Sequence, residues 1–501
     1  MQANIKTVSF LGVSAVEIDV QIQIINGLPA FTIVGLPDKA VAESRERIRA
    51  TFFSMGISLP SKRITVNLAP ADVQKEGSHY DLPIAIALMS AMNIIDQEDI
   101  TNTLALGELS LNGCITRVPG ILPAAILAKN RGMSMICPED CAQEAVWASE
   151  GGIIAPKTLL SIINHFKGTQ ILPNVVSRPL EFDNSATNYG CFSDVKGQIV
   201  AKRAMEVAAS GGHNVLMLGP PGVGKSLLAS RIPGILPHFS PDEALEVTMI
   251  HSMAGQVMES GLITERPYRA PHHSASLVAL VGGGSHAKPG EISLAHRGII
   301  FLDELPEFSR SALESLRQPL ETGNITIARA NSHVTYPARI QLIAAMNPCR
   351  CGYLGVVGRE CSLAPKCGRD YMRKISGPLL DRMDIYIDVP EVKLPDFIQS
   401  KEEIETSESV RKRVIAAREI QSDRYKDIHA KTNAEVNGQE LEKYLTEDAK
   451  RLLYTCIDKA KISARGYYRI VKLSMTIADM HGNSVINKDH VSEAFGYRRI
   501  V

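Results

Sequence analysis

Residues 219–226 read Gly219-Pro220-Pro221-Gly222-Val223-Gly224-Lys225-Ser226, the G-x-x-x-x-G-K-[ST] spacing of a phosphate-binding loop. An apolar run from Asn214 to Leu218 precedes the loop, and a helical pattern from Leu227 to Ile232 follows it. In such a strand–loop–helix setting the glycines let backbone N–H groups close around phosphate oxygens, and the helix N-terminus adds a favourable dipole. Lys225 is placed to neutralise the β- and γ-phosphates, and Ser226 to hold Mg²⁺. The chemistry indicated is binding of ATP or GTP. Gly298-Ile-Ile-Phe-Leu-Asp303-Glu304 is an apolar strand ending in two acids. Asp303 there can orient Mg²⁺ and its waters, while Glu304 polarises the attacking water. A second strand, Leu342 to Asn347, ends in an amide that can touch the γ-phosphate or the water, although Asn before Pro is also a turn signal. Arg382 follows a helix-like end in Ser376–Asp384. An arginine supplied by a neighbour can stabilise charge on the transferring phosphoryl group, but taken alone Arg382 fits a surface ion pair equally well.

Cys349, Cys351, Cys361 and Cys367 crowd into one Gly-, Arg- and Lys-rich stretch. Four thiols within such reach can fold a loop around tetrahedral Zn²⁺. The alternative, small buried hydrophobes, has little core to bury them in here. The other cysteines (Cys114, Cys137, Cys141, Cys191, Cys456) read as packing residues. His272 and His273 stand side by side. On a strand, adjacent side chains point to opposite faces, so the pair is assigned no chemistry.

The elements that must position these groups follow from the chain as a whole. At 501 residues it is too long for one core. Hydrophobic content of 45% and charged content of 22% are those of a globular protein, and 54 basic against 54 acidic residues leave no global field for nucleic acid. Any DNA contact must come from a local patch or an assembled pore. No apolar run reaches transmembrane length and the N-terminus lacks a signal-peptide layout, so a cytoplasmic protein with reduced cysteines is expected. Residues 1–170 alternate β-like runs (18–25, 64–68) with helical ones (82–95, 122–130), an α/β or α+β pattern. Residues 171–190 turn polar and lose periodicity, as a linker does. Residues 191–394 hold short apolar strands at 215–218, 299–302, 341–345 and 385–389, which indicate a parallel sheet covered on both faces. Residues 395–501 are charged and helical, with helices expected over 401–425, 438–460 and 470–481. The fold class is thus multidomain α/β with a helical C-terminal domain.

Together the nucleotide-site elements resemble those of AAA+ ATPases, in the branch holding magnesium-chelatase ATPase subunits and MCM helicases. Val195-Lys-Gly-Gln198 fits that branch's adenine-side segment. Longer strings resemble the bacterial magnesium-chelatase-like ComM/YifB family over nearly the whole chain. They are Val34-Gly-Leu-Pro-Asp38, Arg269-Ala-Pro-His-His273, Lys288-Pro-Gly-Glu-Ile-Ser-Leu-Ala295, Leu302-Asp-Glu-Leu-Pro-Glu-Phe308, Ile375-Ser-Gly-Pro-Leu-Leu-Asp-Arg382 and Ser463-Ala-Arg-Gly466. The resemblance implies an ATP-driven homohexameric motor that branch-migrates single-stranded or branched DNA during integration of incoming DNA. It also implies that Arg382 is a finger acting across the subunit boundary and Arg465 a sensor-2 arginine, with 395–501 as the lid.

Residues 76–130 resemble the proteolytic domain of Lon, with His79 at the position of its nucleophilic serine and Leu122 at that of its lysine. Ser78 is one residue off and 121–127 contain no lysine, so the fold is expected without the Ser–Lys chemistry. The β-like runs around Ala330-Asn-Ser332 resemble the MCM pore hairpin, with Arg329 in the place of its basic residue. The insertion Gly282–Gly290 resembles the other pore element, with Lys288 near its tip. Such residues would contact phosphates without regard to sequence. Rival readings are a chelatase-type ATPase that drives a metal-insertion partner, a peptidase, and a nucleotide-gated scaffold. DNA-stimulated ATP hydrolysis separates the first reading from all three.

Overall fold

The computed structural model describes residues 1–148, 151–176, 189–257, 261–284, 287–328, 333–355, 361–392, 405–428, 430–460 and 462–498. In the N-terminal region β1 (Gln2–Leu11) and β2 (Ser14–Ile25) pair antiparallel along their whole length. Period-two alternation in β2 buries Ile18, Val20, Ile22 and Ile24 on one face. With β3 (Ala30–Val34), β4 (Arg63–Ala69), β5 (Thr103–Ala105), β6 (Ser134–Ile136) and β7 (Ile153–Ile154) they form a seven-stranded mixed sheet of order β3-β4-β2-β1-β5-β6-β7. The helix Asp81–Ala91 buries every one of its residues against this sheet. Its buried Asp81 carboxylate accepts bidentate hydrogen bonds from Arg47 at 2.6 and 2.9 Å, which is how a buried charge is tolerated.

The nucleotide-binding region is built on five strands: β8 (Val215–Leu218), β9 (Tyr268–Arg269), β10 (Ile299–Leu302), β11 (Gln341–Met346) and β12 (Ile385–Asp388). They lie in the order β9-β10-β11-β8-β12 and all pairs are parallel. Every residue of β8, β10 and β11 is buried, as a parallel sheet covered on both faces requires. The expected strands at 215–218, 299–302, 341–345 and 385–389 are all present within a residue. Two hairpins project from this region. Gly282–Gly283 pairs with Lys288–Pro289, and Asn324–Ala328 pairs with His333–Pro337.

The C-terminal region is helical: Ser407–Arg424, Glu447–Ala460, Ala464–Met480 and Lys488–Gly496. Its apolar side chains share one core with the helix Ile199–Gly211 and the sheet. The single helix expected over 438–460 is broken. Leu445 forms a parallel bridge to Ile486, with Ile486 N–H donating to the Tyr444 carbonyl (2.8 Å) and Thr446 N–H to that of Ile486 (3.0 Å). Thr446 then caps the helix that follows. The helix expected at 470–481 begins at Ala464, where the Ser463 hydroxyl accepts from Gly466 N–H. The expected core–lid boundary at 394/395 and most of the 171–190 linker lie outside the described residues. No helix among the described residues is long and apolar enough to cross a membrane.

The N-terminal region touches the nucleotide-binding one at several places, Arg117 donating to the Val257 carbonyl (2.7 Å) among them. Along the helix Pro241–Ala254, Gly120 N–H donates to the Ser252 carbonyl (3.1 Å) and the buried Glu144 carboxylate accepts from the Ser252 hydroxyl. At the β1–β2 turn, a Cβ on Gly12 would lie 3.1 Å from Val334 of the second hairpin.

Candidate active site

The strand order explains how residues far apart in the chain meet. In an open parallel sheet ligands bind beyond the carboxyl ends of the strands. β8 runs into the phosphate loop, β10 into Asp303 and Glu304, and β11 into Asn347. Gly222 (φ +80°) and Gly224 (φ +91°) take the left-handed backbone, and no other protein group lies within 4 Å of where a Cβ at either would sit, so the loop backbone stands clear of side chains. Lys225 is buried at the helix start, with its ammonium donating to the Gly219 and Pro220 carbonyls (2.8 Å each) and to Asn347 Oδ1 (3.1 Å). Burial lowers its pKa, opposed by the charges of Asp303 and Glu304. Ser226 Oγ donates to Asp303 Oδ2 at 2.6 Å, so the hydroxyl and carboxylate that would hold Mg²⁺ already converge. Asp303 Oδ1 accepts from Glu304 N–H at 2.9 Å, and Glu304 takes φ +50°, a strained conformation for a residue with a Cβ. Six of the sequence-derived residues (Gly222, Gly224, Lys225, Ser226, Asp303 and Asn347) are thus assembled in one place, with Glu304 at its edge.

Arg382 lies at the other end of the same strands. Asn214, just before β8, donates its side-chain N–H to the Arg382 carbonyl (3.1 Å), and its backbone N–H donates to Asp384 Oδ2 (3.0 Å). From Asn214 to Gly219 the chain climbs about 16 Å at roughly 3.3 Å per residue. Arg382 therefore belongs to the sheet edge opposite the nucleotide cradle. It is buried, paired with Glu321 and the Pro378 carbonyl, and its pKa is lowered by burial and by the positive fields of Arg317, Arg465 and Arg469. Arg465 is exposed at the N-terminus of its helix. One turn on, Arg469 donates to the Arg382 carbonyl (3.0 Å) and pairs with Asp384. Burial alone would raise the Asp384 pKa, but Arg469, His213 and the Asn214 N–H hold it well below the usual carboxylate range. Arg469 escaped the sequence reading, although its i, i+4 spacing from Arg465 put both on one helix face.

The expectation that His272 and His273 diverge on a strand is overturned. β9 ends at Arg269, and the histidines sit in a turn closed by Ala275 N–H donating to the His272 carbonyl (2.9 Å). Their ring centroids are 4.0 Å apart, and His273 Nδ1 is 3.4 Å from Glu304 Oε2.

The Sγ atoms of Cys349, Cys361 and Cys367 lie within 4.8 Å of one another, and Cys351 Sγ is 3.1 Å from that of Cys349. Burial acts to raise the Cys349 pKa, but the Cys351 thiol and three backbone N–H groups (Leu354, Gly352, Tyr353) bring it down to about 7. A thiolate donor set of this kind suits zinc. The cysteine loop packs on the phosphate loop, since a Cβ on Gly352 would lie 2.7 Å from Pro221 Cδ.

Lys288 is exposed in its hairpin, paired across with Gly283. Arg329 lies outside the described residues, next in sequence after the strand Asn324–Ala328, which pairs with His333–Pro337. In the N-terminal region Ser78 Oγ donates to Glu108 Oε2 (2.6 Å), while the buried His79 meets the Val8 carbonyl and lies against the Tyr80 ring, tilted by 34°. Burial lowers the His79 pKa to about 4. Leu122 is buried, and the one buried lysine nearby, Lys75, directs its ammonium at the Pro70 carbonyl rather than at Ser78.

A parallel sheet with a phosphate loop, a strand-end Asp–Glu pair and a polar residue on the strand between defines a P-loop ATPase core. Residues 191–397 match the family described as magnesium chelatase, subunit ChlI, residues 20–141 match subunit ChlI of Mg-chelatase, and residues 404–498 match the subunit's C-terminal part. The competence protein ComM of Haemophilus influenzae is 41% identical over 495 residues, covering 98% of this chain and 96% of its own. The protein YifB of Salmonella typhimurium is 42% identical over 501 residues, covering 99% and 97%. DNA replication licensing factor Mcm6 of Drosophila pseudoobscura is 22% identical over 324 residues, 63% of this chain and 36% of its own. The chain belongs to the magnesium-chelatase-like AAA+ ATPase family that includes ComM and YifB. Such a family uses ATP and Mg²⁺, and the Lys225–Ser226–Asp303 arrangement fits both.

Proposed function

We propose that this chain is a homohexameric, ATP-driven DNA motor that promotes branch migration during integration of incoming DNA by homologous recombination, in the cytoplasm. The observation that carries the reading is the separation of the nucleotide cradle and Arg382 to opposite edges of one sheet. An arginine so placed cannot reach its own subunit's γ-phosphate but suits that of a neighbour in a ring. In the cycle Lys225 and the loop amides hold the phosphates, Ser226 and Asp303 would hold Mg²⁺, which would supply neutralisation of developing charge, and Glu304 and Asn347 orient the attacking water. Arg382, with Arg465 beside it, stabilises the transition state next door. The names of two relatives, a competence protein and a DNA replication licensing factor, support DNA as the track. The chelatase descriptions of the family support a second reading, an ATPase that drives a metal-insertion partner. ATP hydrolysis with and without single-stranded or branched DNA, followed by a branch-migration assay, tests the choice, because the DNA reading falls if neither is seen.

Two hairpins supply the DNA contacts in this reading, through Arg329 and Lys288. In a ring, six copies of each would make a local positive field in a chain of zero net charge. Arg329→Ala should weaken DNA binding across all sequences and reduce the salt slope by about one per lost phosphate contact, leaving basal ATPase intact. Wild-type binding titrations at several salt concentrations would show that DNA is gripped elsewhere.

The four clustered cysteines (Cys349, Cys351, Cys361 and Cys367) are proposed to hold Zn²⁺, which would brace the loop that packs on Pro221. Purified protein should then carry about one zinc per chain, lost on Cys361→Ser with Cys367→Ser. Elemental analysis finding no zinc in protein prepared without chelator refutes this. The N-terminal region is proposed to be a Lon-like domain without peptidase chemistry, supported by the separate partners of Ser78 and Lys75.

A further inference from the structure

We infer that the cleft between the starting edge of the parallel sheet and the helical C-terminal region binds a small anion carrying two or more phosphate groups, at a site separate from the nucleotide cradle. Such a site stands whether or not DNA is the track.

The cleft measures about 560 Å³, within the size range of small-molecule sites. Its floor is made where the strands begin: Asn214 before β8, Gly298 before β10, Gln341 at the start of β11 and Asp384 before β12. The phosphate loop follows the other end of β8, so a ligand here leaves the ATP site open. The facing wall comes from the C-terminal region, with Arg418 on the helix Ser407–Arg424 and Lys472 on the helix Ala464–Met480.

The fold leaves basic side chains in this cleft without a counter-ion. Arg418 donates through Nε and Nη2 to the Ala209 carbonyl (3.0 and 2.6 Å), and Lys472 donates to the Ala434 carbonyl (2.9 Å). Neither has a carboxylate in ion-pair contact among the described residues. The exposed Arg339 guanidinium, on the floor just ahead of β11, has no hydrogen bond or ion pair among them at all. The acids of the cleft are engaged elsewhere or lie at its rim. Glu243 is held between Arg266 (3.0 Å) and Lys431 (2.9 Å), Asp384 is paired with Arg469 and Glu321 with Arg382, while Glu435 and Glu440 are exposed. Burial, and then the charge of Arg266, push the Arg418 pKa down to about 10. Burial also lowers that of Lys472, opposed by Asp384 and reinforced by Arg469. Cations gathered in this way gain from an anion placed among them, and guanidinium forks match phosphate oxygens in particular. The three free cations stand on both sides of the cleft, which favours a ligand with more than one phosphate. No aromatic side chain lines it, so a nucleobase has nothing to stack on and a bare phosphate chain is the class that fits. Bridging Arg339 to Arg418 and Lys472, the anion ties the helical region to the sheet edge that carries Arg382.

The test is calorimetric titration of full-length Lys225→Ala protein, whose phosphate loop is disabled, with inorganic tripolyphosphate in Mg²⁺-free buffer. One saturable event per chain is expected, at least tenfold tighter than for orthophosphate. Adding Arg418→Gln with Lys472→Gln should weaken it by about tenfold or more, the scale of lost hydrogen bonds to a charged group. Arg339→Gln, at an exposed position that no partner ties to the fold, should weaken it by about threefold. Lys412→Gln, at an exposed lysine paired with Glu408 on the same helix as Arg418, should change nothing. Hydrogen exchange should show tripolyphosphate protecting the backbone of 434–437. Absence of saturable binding overturns the site, as does binding kept by Arg339→Gln and by the Arg418→Gln/Lys472→Gln pair alike. Equal weakening by Lys412→Gln would reduce the binding to general charge attraction and also overturns it. Orthophosphate binding as tightly as tripolyphosphate overturns the ligand class, and protection confined to 219–226 would return the ligand to the phosphate loop.

Discussion

Glu304→Gln is expected to bind ATP as the wild type does and to hydrolyse it some 10²- to 10⁴-fold more slowly, the usual contribution of a positioned general base. The amide is isosteric and Glu304 is half exposed, so neither the sheet nor the cradle is disturbed. What is lost is the carboxylate at the edge of the cradle that can take a proton from the water. Asp303 cannot substitute, because both of its oxygens are engaged, one by Ser226 Oγ and the other by the Glu304 N–H. Lys225→Ala should fail earlier in the cycle. Its ammonium sits among the Gly219 and Pro220 carbonyls and Asn347, and without it the phosphates meet an uncompensated, acid-lined pocket. Fluorescent nucleotide titration and phosphate release, measured on both variants, separate the roles. Wild-type hydrolysis by Glu304→Gln would move the base elsewhere.

The division between what could be read from the sequence and what could not follows the range of the interactions. Val215–Leu218, Ile299–Leu302 and Gln341–Met346 were legible as strands because burial on both faces leaves an unbroken apolar run. The phosphate loop was legible because its backbone geometry demands glycine at fixed places, as the positive φ of Gly222 and Gly224 bears out. The His273–Glu304 contact was not, since it depends on which strand neighbours β10 and on β9 ending at Arg269, neither of which period-two reasoning contains. The break at Leu445 was hidden for a similar reason. Its cause is a bridge to Ile486, far along the chain, which outweighs helical periodicity across 438–460. The cysteine cluster shows the converse: spacing alone gave the four candidates, and the fold brought their sulfurs together.

Arg382→Ala is expected to leave ATP binding intact and to lower turnover by about 10³-fold or more, the scale set by arginine fingers in phosphoryl transfer. Arg382→Lys should recover little, because a compact ammonium cannot reproduce the planar fork of a guanidinium. Arg382 is buried and paired with Glu321, so loss of activity by itself would also follow from a damaged edge. Mixing distinguishes the two. In a ring assembled from Arg382→Ala and Glu304→Gln chains, some interfaces join an intact Glu304 to an intact Arg382 from the neighbour. Those interfaces should hydrolyse ATP although neither parent does. The recovered rate should peak at an intermediate mixing ratio, because each competent interface needs one chain of each kind. A damaged fold would give no such maximum, since a misfolded subunit cannot complete its neighbour's site. Co-assembly is verified by pulling down one tagged chain with the other. Flat activity across all ratios in confirmed mixed rings would mean that Arg382 serves only its own subunit, and the opposite-edge geometry that carries the ring reading would lose its function.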